Sequence, residues 1–197
     1  MRVVLASGST TRRKLLENAG VPCVCVVPQV DEQPIKADLR ARGADNLQIA
    51  EFLAEQKALA VARGLTGALV IGADQVLDFD GAAFDKPKDR NDALAQLKAL
   101  RGHDHTLLTA CAVAEGAGIV WQRTDRAALK MRAASDGYLE RYVDLLGDRA
   151  LAGPGAYQLE GRGVQLFERV DGDFFAVLGL PLLPLLAYLR ERGALPA

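Results

Sequence analysis

The sequence predicts an α/β fold whose central element is a mixed β-sheet flanked by helices. Strand-like and helix-like segments alternate along the chain, two long strand-like segments adjoin near Gly116, and half of the 197 residues are hydrophobic. Alternation favours parallel strands joined by helices, whereas adjoining strands favour an antiparallel hairpin. The chain contains no linker-like or low-complexity segment, so we expect one continuous domain, residues 1–197.

The strands are predicted from short segments that are rich in β-branched residues and bounded by Gly, Pro or Asp. Six segments meet this description: residues 3–6, 23–27, 68–72, 106–114, 119–130 and 164–170. The fourth and fifth flank the pair Gly116 and Gly118, which predicts the turn of a hairpin.

The helices are predicted from apolar residues at helical spacing and from residues typical of helix ends. Five segments qualify: residues 12–19, 45–62, 89–100, 136–146 and 182–190. Ser135 is a predicted N-cap, and glycines follow most of these segments, as is typical of helix C-termini. The stretch VPQVDEQP has proline near both ends and predicts a rigid loop after the second strand.

Charge and composition narrow the classes of function. The 24 basic and 25 acidic residues give a net charge of −1, so the sequence predicts no basic surface for nucleic acid. No apolar run approaches the length of a membrane span or of a signal peptide. Three cysteines are too few for a disulfide framework, which favours a reducing compartment. We therefore expect a soluble, cytoplasmic protein that binds a small ligand and neither nucleic acid nor a membrane.

The segment VVLASGSTTRRKLL, residues 3–16, has the parts of an anion site. Ser7 and Ser9 precede a predicted helix, and Arg12 and Arg13 lie in its first turn. Hydroxyls and free N–H groups at a helix N-terminus donate to phosphate oxygens, and guanidinium groups neutralise them. The alternative is that the hydroxyl groups only cap the helix.

Two acidic positions are candidates for binding a divalent cation or activating a water. The strand at residues 68–72 leads directly into Asp74 and Gln75, which we expect in a turn at its carboxyl end, where open α/β sheets bind ligands. Glu32 lies in the predicted rigid loop. One or two carboxylates suffice for Mg²⁺, because substrate phosphates complete its shell. The alternatives are a turn aspartate that satisfies local N–H groups and a solvated acidic pair.

Three further charged residues are candidates for contact with a substrate. Lys57 follows Leu53 by four residues on an apolar helix face, where it either meets an anion or extends to solvent. Lys86 precedes Pro87, which favours an extended backbone. Glu160 lies in the glycine-rich stretch AGPGAYQLEGRG, where its carboxylate could accept hydrogen bonds from a base. A glycine-rich turn without a function would have the same composition.

The stretches LASGSTTRRKLL, VDE, LAEQKA, IGADQV, KP, EGRGVQLFERVDGD and VLGLPL occur in this order. Together they closely resemble the Maf family of nucleoside triphosphate pyrophosphatases over nearly the whole chain. The resemblance implies a Maf/inosine triphosphatase-like mixed sheet with two lobes around a central cleft. It also implies a homodimer, a divalent cation (Mg, Mn or Co), and hydrolysis of a nucleoside triphosphate between its α and β phosphates to a monophosphate and pyrophosphate.

The resemblance also assigns roles to residues of this sequence. The catalytic residues that it implies are Glu32, Lys57, Asp74 and Lys86; the substrate-binding residues are Ser7, Ser9, Thr11, Arg12, Arg13, Gln75 and Glu160. Glu32 and Asp74 are the expected metal ligands. Asp74 is the expected base, although the two roles could be exchanged or shared.

The pair Gln75 and Glu160 looks like the subgroup that acts on 7-methyl-GTP. N7-methylated guanine is cationic and presents N–H donors, so a carboxylate at Glu160 would attract it. The alternatives are a dTTP or UTP pyrophosphatase and a regulator of septum formation that binds a nucleotide without hydrolysing it.

Overall fold

The structure is a computed structural model that describes residues 1–196. Its strands are β1 (Arg2–Ala6), β2 (Cys23–Val26), β3 (Ala68–Phe79), β4 (Ala82–Phe84), β5 (Asp104–Glu115), β6 (Gly118–Met131) and β7 (Phe167–Asp171). They form one sheet in the order β2-β1-β3-β5-β6-β7, with β4 paired to β3. β1 is parallel to β2 and β3, whereas the β3–β4 and β6–β7 pairs are antiparallel. The predicted α/β class with a mixed sheet is confirmed.

The helices are α1 (Thr10–Asn18), α2 (Glu32–Ala41), α3 (Asn46–Ala62), α4 (Arg90–Leu100), α5 (Asp136–Leu146), α6 (Phe174–Val177) and α7 (Leu182–Glu191). Short 3-10 helices cover Gly147–Leu151, Pro154–Ala156 and Arg162–Leu166. The five predicted helices are all present. Four of them begin where a side-chain oxygen accepts a hydrogen bond from a backbone N–H of the first turn, at Ser9, Asp45, Asp89 and Ser135. No helix within residues 1–196 has both the length and the apolar composition to cross a membrane.

Two predictions about local structure near the acidic residues were wrong. The predicted rigid loop is the start of α2, with Asp31 at the N-cap position and Glu32 in the first turn. Pro34 is accommodated because the first N–H groups of a helix have no partner within it. Strand β3 continues to Phe79, where it pairs with β4. Asp74 therefore lies inside a strand and not in a turn at its end.

A smaller correction concerns the last predicted strand, at residues 164–170. The structure has a 3-10 helix at Arg162–Leu166, and β7 begins only at Phe167. The strand is therefore shorter at its start than its β-branched composition indicates.

The chain divides into two compact units. The first comprises Met1–Gln75, Thr109–Asp125 and the chain from Asp173 onward, and the second comprises Val76–Leu108 and Arg126–Gly172. In the first unit, one core packs residues such as Leu16 of α1 and Leu189 of α7 with alternate residues of β1, β3 and β5. A second core packs Ala58 of α3 with Val70 of β3. The first unit thus has helices on both faces of its strands, and the predicted cleft between two lobes stays a prediction.

In the second unit, a buried histidine packs among aromatic rings. His105 is 4% exposed, and its ring centroid lies 5.6 Å from that of Tyr157 and 6.0 Å from that of Phe167. Its Nε2 lies 2.9 Å from the Tyr157 Oη, and its Nδ1 has no hydrogen-bond partner among the described residues. Burial lowers the pKa of His105 to about 4, so the imidazole is neutral at pH 7.

Candidate active site

A buried lysine joins two carboxylates in the first unit. The Lys57 Nζ lies 2.6 Å from Oδ1 of Asp74 and 2.8 Å from Oε1 of Glu32. The side chains of Lys57 and Asp74 are each 10% exposed, and that of Glu32 is 36% exposed. We call Glu32, Lys57 and Asp74 the acid–lysine cluster. The structure thus brings together three of the four predicted catalytic residues.

Each member of the acid–lysine cluster is positioned by a different element. Lys57 lies on the buried face of α3 and pairs with carboxylates of the protein, so the interpretation that it extends to solvent is wrong. Its contact with a substrate anion stays a prediction. Gly72 of β3 packs against α3. Asp74 faces α3 as well, because residues two apart on a strand lie on the same face. Glu32 lies in the first turn of α2, where the helix dipole favours a negative charge.

Helix α3 can reach Asp74 because of a glycine on the same face of β3. A Cβ added at Gly72 would lie 2.2 Å from the carbonyl oxygen of Ala54 and 2.6 Å from the backbone nitrogen of Ala58. Any side chain at this position would therefore force the helix away from the strand. A glycine inside a strand often marks such a close approach, and this signal in the sequence would have identified Gly72.

The guanidinium of Arg12 lies near the carboxylates of the acid–lysine cluster and is anchored by backbone carbonyls. Its Nε donates to the Gly179 oxygen over 2.7 Å, and its Nη1 donates to the Ala73 oxygen over 2.8 Å. Burial lowers the pKa of Arg12, and the nearby charges of Asp74 and Glu32 oppose that shift. Because an arginine remains protonated in proteins, Arg12 adds a fixed positive charge to this part of the unit.

The neighbouring Arg13 has a different environment. It forms an exposed ion pair with Glu17 on the next turn of α1, with 3.5 Å between Nε and Oε1. Its guanidinium is thus held at the surface, and of the two arginines only Arg12 has buried partners.

The hydroxyl groups before α1 make local hydrogen bonds. The Ser9 Oγ accepts from the Arg12 backbone N–H over 3.3 Å, and the Ser7 Oγ accepts from the Ser9 N–H over 3.1 Å. Ser9 is therefore the N-cap of α1, as the capping interpretation predicts. Thr11 is half-buried in the first turn. Contacts of these hydroxyls with phosphate stay predictions.

The remaining predicted site residues lie away from the acid–lysine cluster or in the other unit. Gln75 projects from the opposite face of β3 to Asp74, and its amide nitrogen donates to the Thr109 hydroxyl over 2.8 Å and to the Ala176 carbonyl oxygen over 3.0 Å. Lys86 and Glu160 are exposed residues of the second unit. The roles of these three residues in binding stay predictions.

The acid–lysine cluster has a donor set that fits a divalent cation. Glu32 and Asp74 each direct one oxygen at the same positive charge, the ammonium of Lys57. Carboxylate oxygens are ligands that Mg²⁺ prefers, and Mg²⁺ usually completes its shell with waters and phosphates. Within residues 1–196, no three His, Cys, Asp or Glu side chains gather into a metal site. The two carboxylates thus fit a cation that substrate helps to hold, and not a closed protein cage.

A cavity opens in the first unit beside the same helix. Its volume is about 330 Å³, and its walls include Ala54 and Glu55 of α3, Ala112 of β5 and Gln122 of β6. Ala54 precedes Lys57 by three residues, so the two lie on neighbouring positions of the helix surface. Small-molecule sites have volumes of ~300–1,000 Å³. The first unit therefore has space for a small ligand beside α3.

Comparison with known proteins places the chain in a family. The family described as "Maf-like protein" matches residues 2–192. A nucleoside triphosphate pyrophosphatase of Paramagnetospirillum magneticum is 48% identical over 98% of this chain and 99% of its own length. A 7-methyl-GTP pyrophosphatase of Rhizobium meliloti is 43% identical over 99% of this chain and 98% of its own length. A solved HAM1 protein of Coxiella burnetii is 14% identical, with a TM-score of 0.42 over 68% of this chain and 74% of that one. The chain belongs to the Maf-like protein family.

Proposed function

We propose that this protein hydrolyses a nucleoside triphosphate between its α and β phosphates, with a divalent cation as cofactor. Its relatives over nearly the full chain are nucleoside triphosphate pyrophosphatases by name, and the chain is an enzyme of that class, a hydrolase acting on acid anhydrides. The observation that best supports the finer proposal is the acid–lysine cluster, in which Lys57 lies between Glu32 and Asp74.

Asp74 is the proposed general base. It accepts a proton from the attacking water while the water oxygen bonds to the α phosphorus. The bond from that phosphorus to the bridging oxygen breaks, and pyrophosphate leaves with the electron pair. A carboxylate in this role contributes about 10²–10⁴-fold in rate. The burial of Asp74 keeps most bulk water from its surroundings and so strengthens its interactions with neighbouring charges.

Lys57, Arg12 and Lys86 are proposed to supply the positive charge that the reaction needs. Negative charge lies on phosphoryl oxygens throughout the transfer, so catalysis depends on fixed cations more than on covalent chemistry. Lys57 and Arg12 already lie near the two carboxylates. Ser7, Ser9, Thr11 and Arg13 are the proposed further contacts to the substrate.

Glu32 and Asp74 would hold the divalent cation, with Glu32 principally a ligand. When bound, such a cation neutralises phosphate charge and makes a coordinated water more acidic. The proposal is tested by pyrophosphate release from nucleoside triphosphates with Mg²⁺, Mn²⁺ or Co²⁺ and with a chelator. Release that persists unchanged in the chelator would contradict the metal requirement.

The proposed substrate is 7-methyl-GTP. Two relatives that are 42–43% identical are named 7-methyl-GTP pyrophosphatases, and Glu160 offers an exposed carboxylate for a cationic base. Gln75 is the second proposed specificity residue. Turnover of 7-methyl-GTP, UTP and dTTP should be measured in parallel. A clear preference for a pyrimidine nucleotide would favour the alternative, a dTTP or UTP pyrophosphatase.

We further propose that the protein is a cytoplasmic homodimer. Sedimentation velocity tests the assembly, and a single species with the mass of one chain would contradict it. The alternative of a nucleotide-binding regulator of septum formation predicts nucleotide binding without pyrophosphate release under any metal condition.

A further inference from the structure

We propose that, in the free protein, the ammonium of Lys57 occupies the position between Glu32 and Asp74 that a divalent cation needs. The ammonium leaves this position only when a nucleoside triphosphate binds. Divalent cations therefore bind weakly to the free protein and strongly together with the nucleotide. This inference rests on the proposed function, because it concerns the metal and the substrate of the same site.

The distances in the acid–lysine cluster indicate that the ammonium of Lys57 and a metal ion compete for the same carboxylate oxygens. The ammonium nitrogen lies within hydrogen-bond distance of one oxygen from each carboxylate, at 2.6 and 2.8 Å. A magnesium ion binds oxygen at about 2.0–2.1 Å. An ion that contacts both of these oxygens must therefore lie close to the nitrogen, and two positive charges that close together repel each other strongly. The ammonium and the metal compete for one position.

The burial of the acid–lysine cluster favours a cation between its two carboxylates. Lys57 and Asp74 are each 10% exposed and Glu32 is 36% exposed, so solvent screens the repulsion between the two carboxylates only in part. A cation between them offsets this repulsion. In the free protein this cation is the ammonium of Lys57, and it is covalently tethered and always present at its site.

The triphosphate supplies a second partner for the displaced ammonium. A lysine side chain is a compact charge on a flexible four-carbon stem, and phosphate oxygens accept its hydrogen bonds as carboxylate oxygens do. The exchange leaves every charge paired: the metal lies between the carboxylates, and Lys57 contacts phosphate. Because linkage is reciprocal, the nucleotide must then raise the affinity for the metal by the same factor as the metal raises that for the nucleotide.

Two other cations of the described chain, Lys36 and Arg12, lie near the carboxylates and make different contacts. The Nζ of Lys36 lies 3.9 Å from Oε2 of Glu32. Arg12 is anchored by the carbonyl oxygens of Gly179 and Ala73. Lys36 is therefore a matched control, because it shares a carboxylate with Lys57 through a longer ion pair, at 3.9 Å against 2.8 Å.

The experiment measures Mn²⁺ binding to the full-length protein by electron paramagnetic resonance, with no nucleotide present. We expect Lys57→Met to bind Mn²⁺ at least about 10-fold more tightly than the parent protein. Lys36→Met removes the same charge and should change the affinity by about 3-fold or less. An unchanged or weakened affinity in Lys57→Met, or an equal gain in Lys36→Met, would overturn the inference.

A second measurement uses the unaltered protein and does not depend on the folding of a variant. Lysine labelled with ¹³C at Cε reports the environment of Lys57 by NMR. Millimolar Mg²⁺ alone should leave its resonance in place, whereas Mg²⁺ with an α,β-methylene nucleoside triphosphate should shift it. A shift with Mg²⁺ alone, or none with both ligands bound, would overturn the inference. Neither measurement requires turnover, so failure of the proposed hydrolysis would be recognised separately, by the absence of pyrophosphate release.

Discussion

Gly72 of β3 lies so close to Ala54 of α3 that a Cβ added to the glycine would be 2.2 Å from the alanine's carbonyl oxygen. Asp74 follows on the same face of β3, and Lys57 follows on the next turn of α3. The separation of the two elements at Gly72 therefore sets the distance from the ammonium to the carboxylate.

Gly72→Ala adds only one methyl group but should lower activity substantially. The added methyl group meets backbone atoms, which cannot yield as a flexible side chain can, so α3 must move away from β3. We expect a loss of about 1–3 kcal/mol in the free energy of unfolding and a fall in kcat of about 10-fold or more from a misplaced Lys57. Gly118→Ala is the control, because no atom lies within 4 Å of a Cβ added there. Equal activities of the two variants would contradict this account.

Asp74→Asn tests the proposed general base. The amide retains the shape of the carboxylate but accepts no proton from water, and it leaves the buried Lys57 with one fewer countercharge. We expect pyrophosphate release to slow by about 10²-fold or more at pH 7, with Glu32→Gln slowed as well if that residue places the metal. Asp148→Asn, at an exposed position of a 3-10 helix, should leave the rate unchanged. A parent-like rate in Asp74→Asn would remove Asp74 from the mechanism.

The parts of this fold that local sequence determines were predicted well. Caps such as Ser9 and Ser135 depend on hydrogen bonds within four residues of the chain, so the sequence alone identifies them. Helix α2 was missed because Pro34 lies in its first turn and an acidic pair precedes that proline, a composition that favours a loop. Its helical spacing is present but short: Ile35 and Leu39 are half-buried and lie four residues apart. The extension of β3 beyond Asp74 depends on its pairing with β4, which is a tertiary interaction.

In the candidate site, too, local sequence identified the residue types but not the tertiary contacts between them. The residue types of Glu32, Lys57 and Asp74 pointed to a cationic and acidic site, but their contact depends on the register of α3 against β3. The sequence pattern does not contain that register. It likewise does not separate Arg12 from Arg13, whose environments differ because one guanidinium meets buried carbonyls and the other meets Glu17.

This difference between the two arginines predicts different effects on stability. Arg12 makes two charge-assisted hydrogen bonds to carbonyls far along the chain, and a lysine cannot reproduce both at once. Arg12→Lys should lower the free energy of unfolding by about 1–3 kcal/mol. Arg13→Lys alters only an exposed ion pair and should change it by about 0.5 kcal/mol or less. Urea denaturation measures both, and equal effects would contradict the assignment of Arg12 as the anchored residue.

The buried His105 predicts a loss of stability in mild acid. Burial lowers its pKa from 6.5 in the ordinary imidazole to about 4 in the folded protein, so the unfolded chain binds the proton more readily than the folded one between these values. In the protonated ring both nitrogens carry an N–H, and the one at Nδ1 has no acceptor among the described residues. The contribution of the neutral ring is thus complete above about pH 6.5 and declines as the pH falls from 6.5 towards 4.

The full difference in pKa corresponds to about 3 kcal/mol in the free energy of unfolding. Urea denaturation at a series of pH values from about 7.5 down to 4.5 should show this decline. His105→Phe retains a ring of similar shape without a titratable nitrogen, and its stability should depend less steeply on pH over the same range. His103→Phe, at an exposed position, serves as the control and should keep the parent's pH dependence. If His105→Phe and the parent lost stability in parallel, the acid sensitivity would have to come from carboxylates elsewhere in the fold, because the imidazole would then titrate alike in the folded and unfolded chains.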